Sequence, residues 1–512
     1  MTLPLFRPSF RRPGGLATII AALALTVAAP PATVAQKPRI LGSAPKVEEA
    51  PPTLRRPWIK VQTRNFTLFG DASERQMQTV ATSLESLRAF LDQMSQDRVQ
   101  APVPTIIYVF RNRRSFEDYE PRDFSGEPRG FTGYFHGASH ANYIAIDGSR
   151  RKELGRVAQH EYTHFFASYR LPPIPLWFNE GLAQFYESFE AKKDHVNIGK
   201  ILPHHLAWFE DRPLMPLLDL LAVKPHSPEY NEASHLTRFY AQSWALVHYL
   251  FLEAEDGRAQ LARFLELERR LPLAEAFGQA FGRSPTALEE ELRAYVRSRR
   301  FTYRRSDLPP SVVDLKIAAQ PLSEAEALAR LGELLAVQGV FRYKSANAHF
   351  RRALELNPSE IRAHVGLGLA EMAAGSWGDA EAAVGHFKEA KRLSPTDLPS
   401  IFLHASARAR RGDPRPPLRA EAAALVEIHP KHRGAMQLLA WTWAEEAQKV
   451  DEAVAVFERA HRLMPENRVY ADHLHRLYTA VGKTDAAAGL VASYFGPWGL
   501  EPSESPVRIP RP

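Results

Sequence analysis

The stretch VAQHEYTHFFASYRLPPIPLWFNEGLAQFYES, residues 157–188, decides how the first half of this chain is read. His160 and His164 stand four residues apart. In a helix that spacing puts both imidazoles on one face, one turn apart, where a single zinc ion can span them. Glu161 is turned by about 100° from His160, so it approaches the open side of such an ion instead of competing as a ligand. A carboxylate so placed can take a proton from an attacking water and hand it to a leaving amine. A bare HExxH also arises by chance in chains of this length, so the reading calls for a third ligand.

Glu180, sixteen residues after His164, supplies it. Its neighbours Trp177, Phe178, Leu182, Phe185 and Tyr186 give a second amphipathic helix apolar character on both sides of the carboxylate. A core-facing carboxylate without a partner is expensive, and one bound to zinc is not. The prolines of YRLPPIPL end the first helix and turn the chain back. Two histidines from one helix and a carboxylate from the next leave a fourth position for water, the layout of a catalytic rather than a structural zinc.

Upstream, WIKVQTRNFTLFG from Trp58 alternates as a half-buried strand does, and a helical period runs from about Glu74 to Met94. PTIIYVF (Pro104–Phe110), GFTGYF (Gly130–Phe135) and NYIAID (Asn142–Asp147) are short, β-branched or aromatic runs that read as strands. After Asp147 the pattern is helical to about Phe301. The first half is therefore α+β, a small mixed sheet plus helices, over 58–303, with a linker at 304–321. NYIAID is expected at the sheet edge, where an extended peptide could pair.

Past residue 320 the chain repeats. FRRALELNP, FKEAKRLSP and FERAHRLMP share an aromatic, an alanine three residues on and a proline five after that, with ALVEIHP a weaker copy. Their prolines, Pro358, Pro395, Pro430 and Pro465, are spaced by 37, 35 and 35 residues. The period resembles the tetratricopeptide (TPR) repeat, two antiparallel helices stacked on their neighbours, and implies an all-α solenoid over 322–495 that binds a protein partner. ADHLHRLYTAVGKTDAAAGLVASYF would cap the stack, leaving a Pro-rich tail at 496–512.

The N-terminus has Arg7, Arg11 and Arg12, then the apolar run Leu16–Ala29, then small residues, the layout of a signal peptide over 1–35, followed by a Pro-rich linker at 36–57. The run is short for a spanning helix, an uncleaved anchor being the alternative, and no later segment could span a membrane. Export to the periplasm or beyond is the expectation. The chain has 512 residues and no cysteine, so disulfides are excluded and any metal must be held by His, Asp or Glu. The formal charge of +7 is spread as single and paired arginines without a nucleic-acid arm.

HEYTHFF followed by PLWFNEGLAQFYE resembles the gluzincin metallopeptidases of the peptidase MA-like group, in which HExxH precedes a Trp-x-x-Glu-Gly-Leu-Ala signature. VQTRNFTLFGDASE before the site and FYAQSWALVHYLFLEAEDG after it extend the resemblance. It implies a zincin-like fold, His160, His164 and Glu180 as Zn2+ ligands, Glu161 as general base, and a peptide or protein as substrate. Asn179 reads as a residue beside the ligands or at the helix start. Tyrosine stabilises the oxyanion in several relatives, which points to Tyr240 here. The Gly-x-Met-Glu-Asn that anchors an amine in the large aminopeptidases is absent. His136, His140, His204 and His205 read as exposed loop, surface or cap residues. The rival reading is a non-catalytic envelope scaffold whose repeats do the work and whose zinc domain is vestigial or structural.

Overall fold

The computed structural model describes residues 53–492 except 96–103, 123–125, 138–140, 172–173, 193, 203–204, 206–207, 210–212, 226, 232, 308–316, 340–341, 374–378, 431, 444–449 and 465–467. The signal peptide, most of the first linker and the Pro-rich tail lie outside the described residues. The chain divides into two compact units, one of Ile59–Gly137 with Ala141–Gln320 and one from Pro321 onward. No helix among the described residues is long and apolar enough to cross a membrane.

The first unit opens with β1 (Ile59–Gln62) and β2 (Thr67–Gly70), the helix α1 (Glu74–Ser95), β3 (Thr105–Phe110), the short α2 (Arg113–Phe116), β4 (Gly133–Gly137) and β5 (Asn142–Asp147). These strands form a mixed sheet in the order β4-β5-β3-β2-β1-β9, where β9 is Ala319–Pro321. β3 runs parallel to β2 and β5, and β4 is antiparallel to β5. Every residue of β3 and β5 is buried, as expected of central strands covered on both faces. NYIAID is therefore interior, and the edge expected there belongs to β4. Both edges of β5 are paired, with β3 on one side and β4 on the other, so no backbone donors or acceptors are left there for a peptide.

α3 (Leu154–Arg170) packs on β4, β5 and α1, and α4 (Leu176–Glu187) folds back along it. Leu171, extended at φ −107°, ends α3 before Pro172, and Pro175 opens α4. A small hairpin, β6 (Glu190–Ala191) and β7 (His195–Ile198), interrupts the expected helical run. Then come α5 (Leu217–Ala222), α6 (Pro228–Asn231), α7 (Ala233–Leu252), α8 (Gly257–Leu267), α9 (Leu273–Phe281), α10 (Pro285–Ser298) and β8 (Arg304–Asp307). β8 pairs with β7, so the stretch read as a linker at 304–321 contributes strands at both ends, β7 gaining through Arg304–Asp307 a partner for its free edge.

α7 lies along α4 at very close range. A Cβ on Gly181 would stand 2.4 Å from the Ser243 carbonyl oxygen, so only glycine lets the two helices approach there. Trp177, Phe178, Leu182 and Phe185 from α4 join Trp244, Val247 and Leu250 from α7 in one core.

The second unit is a run of helical pairs: α11 (Glu324–Ala336) with α12 (Tyr343–Leu356), α13 (Ile361–Ala373) with α14 (Ala380–Leu393), and α15 (Leu398–Arg411) with α16 (Arg415–Ile428). α17 (Arg433–Trp443) with α18 (Val450–Leu463) and α19 (Arg468–Ala480) with α20 (Thr484–Leu490) complete it. Each helix packs on the next in sequence, the arrangement of a helical repeat. The repeated aromatics and alanines, Phe350 and Ala353, Phe387 and Ala390, Phe457 and Ala460, are all buried. Phe350 from α12 fills the gap against α13, where a Cβ on Gly366 would fall 2.1 Å from its Cζ. Small residues on one helix thus admit the aromatic of the other, the physical logic the repeated motif carries.

Candidate metal centre

The hairpin of α3 and α4 assembles the predicted group. His160 Nε2 lies 3.2 Å from His164 Nε2. Glu180 Oε2 lies 3.6 Å from the first and 3.5 Å from the second. His160, His164 and Glu180 are the one group of metal-ligand type found among the described residues. A tetrahedral ion with bonds of about 2.0–2.1 Å has ligand–ligand edges of roughly 3.3–3.4 Å, so these three atoms have the spacing of one face of a zinc polyhedron. Glu180 is 3% exposed, and its Oε2 has no hydrogen-bond partner although both imidazoles face it. An orphaned buried carboxylate oxygen is costly unless a cation completes it, and the donor set of two imidazoles and a carboxylate suits zinc.

The other Glu180 oxygen is held differently. The Tyr230 hydroxyl donates to Oε1 at 3.1 Å. Burial alone would raise the Glu180 carboxyl, but the two imidazoles that face it and the Tyr230 hydrogen bond outweigh it and hold it below the usual carboxylate range. Burial depresses the His164 imidazole, and it also acts on His160, where Glu180 and Glu187 overcome it and raise basicity. Glu187 reaches His160 from the far side, with Oε2 3.2 Å from Nδ1. Asn179 sits beside His164 and favours its protonated form.

Glu161 is 7% exposed and lies between α3 and the edge strand β4, where the Phe135 backbone N–H donates to its carboxylate. Burial pushes its carboxyl up to about 7, helped by Glu180 and Glu187 and opposed by His160. Tyr240 brings its ring to 6.5 Å from that of His160. Its hydroxyl is hydrogen-bonded to that of Tyr230; the Glu180 charge and then burial raise Tyr230, and burial and then the Glu180 charge raise Tyr240. The hydroxyls therefore run in series, Tyr240 to Tyr230 to Glu180, and Tyr230 is the one that touches the Glu180 carboxylate. Sequence reasoning missed Tyr230, whose only signal is a tyrosine shortly before the helix that holds Tyr240.

His136 and His205 differ from their expected places. His136 belongs to β4, opposite Tyr143, and is half-buried, with burial lowering its basicity. His205 is fully buried, its ring 4.7 Å from that of Trp244 and its Nε2 2.8 Å from Gln184 Oε1. A polar partner on α4 and an aromatic face compensate its burial, which the local sequence could not announce. His140 and His204 lie outside the described residues.

Residues 156–274, which contain the whole constellation, match the family described as "Protein of unknown function (DUF1570)". Among curated proteins, none matches the chain. Among solved structures the chain is similar to YrrB, described as a TPR protein with an unusual peptide-binding site, at 18% identity over 33% of this chain and 83% of that one, with a TM-score of 0.28. A MamA RS-1 ArsTM double mutant is similar at 15% identity over 33% and 92%, with a TM-score of 0.29. A thermophilic TPR protein of Thermus thermophilus is similar at 20% identity over 33% and 89%, with a TM-score of 0.25.

Proposed function

We propose that the first unit is a zinc-dependent peptidase of an exported protein and that the helical repeats recruit its substrate or a partner protein. The observation that carries this reading is Glu180 Oε2, buried, without a hydrogen bond and 3.5–3.6 Å from two imidazole nitrogens. His160, His164 and Glu180 would hold the ion; when bound, zinc supplies a Lewis acid that polarises a carbonyl and makes water a nucleophile near neutral pH.

The chain's own groups have distinct tasks. Glu161, whose carboxyl is pushed up to about 7, accepts the proton of the attacking water and returns it to the leaving amine nitrogen. The edge strand β4 carries Phe135, which touches Glu161, and its outer side can pair with an extended substrate backbone. The linked hydroxyls of Tyr230 and Tyr240 stand beside the Glu180 carboxylate, and Tyr230 would serve the developing oxyanion by turning its proton from Glu180 to it. Export is supported by the basic and apolar N-terminal run.

The rival scaffold reading draws on the repeats, which have a hydrophobic core of their own. Zinc content of the full-length protein and of Glu180→Ala, followed by cleavage of an unfolded protein by Glu161→Gln, separates the two. Stoichiometric zinc that is lost in Glu180→Ala, with cleavage that depends on Glu161, supports the peptidase. Zinc without Glu161-dependent cleavage supports the scaffold.

A further inference from the structure

The segment RSRRFTYRR, Arg297–Arg305, puts five arginines and no acidic residue into nine positions. It runs from the last turn of α10 through a connecting stretch into β8. A cation at a helix C-terminus offsets the partial charge of the last carbonyls, so one arginine there needs no further explanation and a run of five does. Arg297, Arg299, Arg300 and Arg305 are all exposed. The segment is nonetheless fixed: Phe301 packs its ring on those of Trp244 and Tyr295, at 5.5 and 5.2 Å between centres, and the Thr302 hydroxyl donates to Glu253. Tyr303 therefore projects from an anchored backbone, and it is the one aromatic among the described residues that stands so far in solvent, at 55% exposed. The neighbouring strands add positive charge. Lys200, just past β7, holds its ammonium 5.3 Å from the centre of the Tyr303 ring, and it shares the single carboxylate of Glu190 with Lys192. Arg305 meets Asp194 at 3.4 Å, but the two side chains are 63% and 71% exposed, and such a pair contributes little. Arg305 stands across from Asn197 of β7, and Asn197 across from Glu190 of β6. Cross-strand partners point to the same side of a sheet, so these groups share one face.

We infer that this face, built from Arg297, Arg299, Arg300, Tyr303, Arg305 and Lys200, docks on the surface of an anionic lipid bilayer. Guanidinium and ammonium groups are drawn to lipid phosphates, each adding about fivefold to partitioning near an anionic surface. A tyrosine ring settles at the headgroup level, its apolar body inward and its hydroxyl in water. An acidic protein segment would answer the charges and leave the ring in solvent, whereas the headgroup layer takes both. The inference adds a location to the proposed peptidase and does not depend on the zinc reading.

The experiment mixes the full-length chain with vesicles of phosphatidylcholine, or of phosphatidylcholine and phosphatidylglycerol, and measures the bound fraction by flotation at low and high salt. Wild type is expected to bind the anionic vesicles more tightly and to lose that preference in high salt. The double variant Arg297→Gln/Arg300→Gln should weaken anionic binding by roughly 25-fold, about fivefold for each charge removed. Both arginines are exposed, so this variant should keep the wild-type melting temperature. The chain has no cysteine, so Tyr303→Cys carries a polarity-sensitive dye at that position alone. Its emission should shift to the blue on anionic vesicles and stay unchanged on neutral ones. The basic and apolar N-terminal run can bind vesicles by itself, and the variants separate the two sources. Anionic binding within twofold of wild type in the double variant, or a silent dye, overturns the inference. A wild-type chain with no preference for anionic vesicles also overturns it, and capture of polyglutamate in that case would give the face to an acidic protein.

Discussion

Tyr230 donates its hydroxyl to Glu180 Oε1 at 3.1 Å, on the oxygen that the two histidines leave free. Tyr240, the residue expected from the sequence to stabilise the oxyanion, stands one hydrogen bond further away. If Tyr230 turns its one proton from Glu180 to the oxyanion as that charge develops, Tyr230→Phe should lower kcat by roughly 10²–10³-fold, the cost of losing an oxyanion donor, with zinc still bound. Tyr240→Phe should cost less. Steady-state kinetics with metal analysis of both variants reads this directly, and a larger loss in Tyr240→Phe would return the role to Tyr240.

Gly181→Ala tests how tightly α4 is seated against α7. The added Cβ would fall 2.4 Å from the Ser243 carbonyl oxygen and 2.6 Å from Val247 Cγ2. Forcing α4 away from α7 should cost about 1–3 kcal/mol and weaken zinc binding through the adjacent Glu180. Thermal unfolding and chelator competition check both; an unchanged melting temperature would show that the helices part freely.

His248 predicts an acid-side loss of stability. It is fully buried, with Nε2 2.7 Å from the Gly199 carbonyl oxygen and Nδ1 2.7 Å from the Tyr295 hydroxyl, and burial pulls it down to about 4. The unfolded chain takes up this proton below its ordinary value of 6.5, and the folded chain only near 4. Stability is thus highest above pH 6.5 and falls as pH drops through this window, by about 3 kcal/mol from this residue. Denaturant titrations between pH 7 and 4 should show that slope, and His248→Gln should flatten it.

Phe350→Ala addresses the repeats. Its ring is fully buried between Gly332 and Gly366, so truncation should cost about 3–5 kcal/mol. The melting transition of the helical repeats should move down while zinc affinity stays as in wild type, because His160, His164 and Glu180 belong to the other compact unit. A coupled loss of zinc would show that the two units do not fold independently.

The legibility of this chain follows from where each signal resides. α1, β3 and β5 match their predicted spans closely because periodicity and apolar runs are local properties. Whether a strand is central or at an edge is decided by partners far away in sequence, so β5 was placed at the edge and β4 began three residues later than read. His160, His164, Glu161 and Glu180 came together as expected, since helical spacing and a Pro-rich turn dictate their approach. Tyr230, fifty residues from Glu180, and His205, buried by Trp244 and Gln184, depend on tertiary packing that no local pattern encodes. Glu187 was recoverable in principle, seven residues after Glu180 on one helical face.

The most direct measurement is on Glu161→Gln, assayed for bound zinc and for cleavage of an unfolded protein in parallel with wild type. Retained zinc with cleavage reduced by roughly 10²–10⁴-fold is the predicted result. Cleavage at the wild-type rate, or no zinc in either protein, would contradict it.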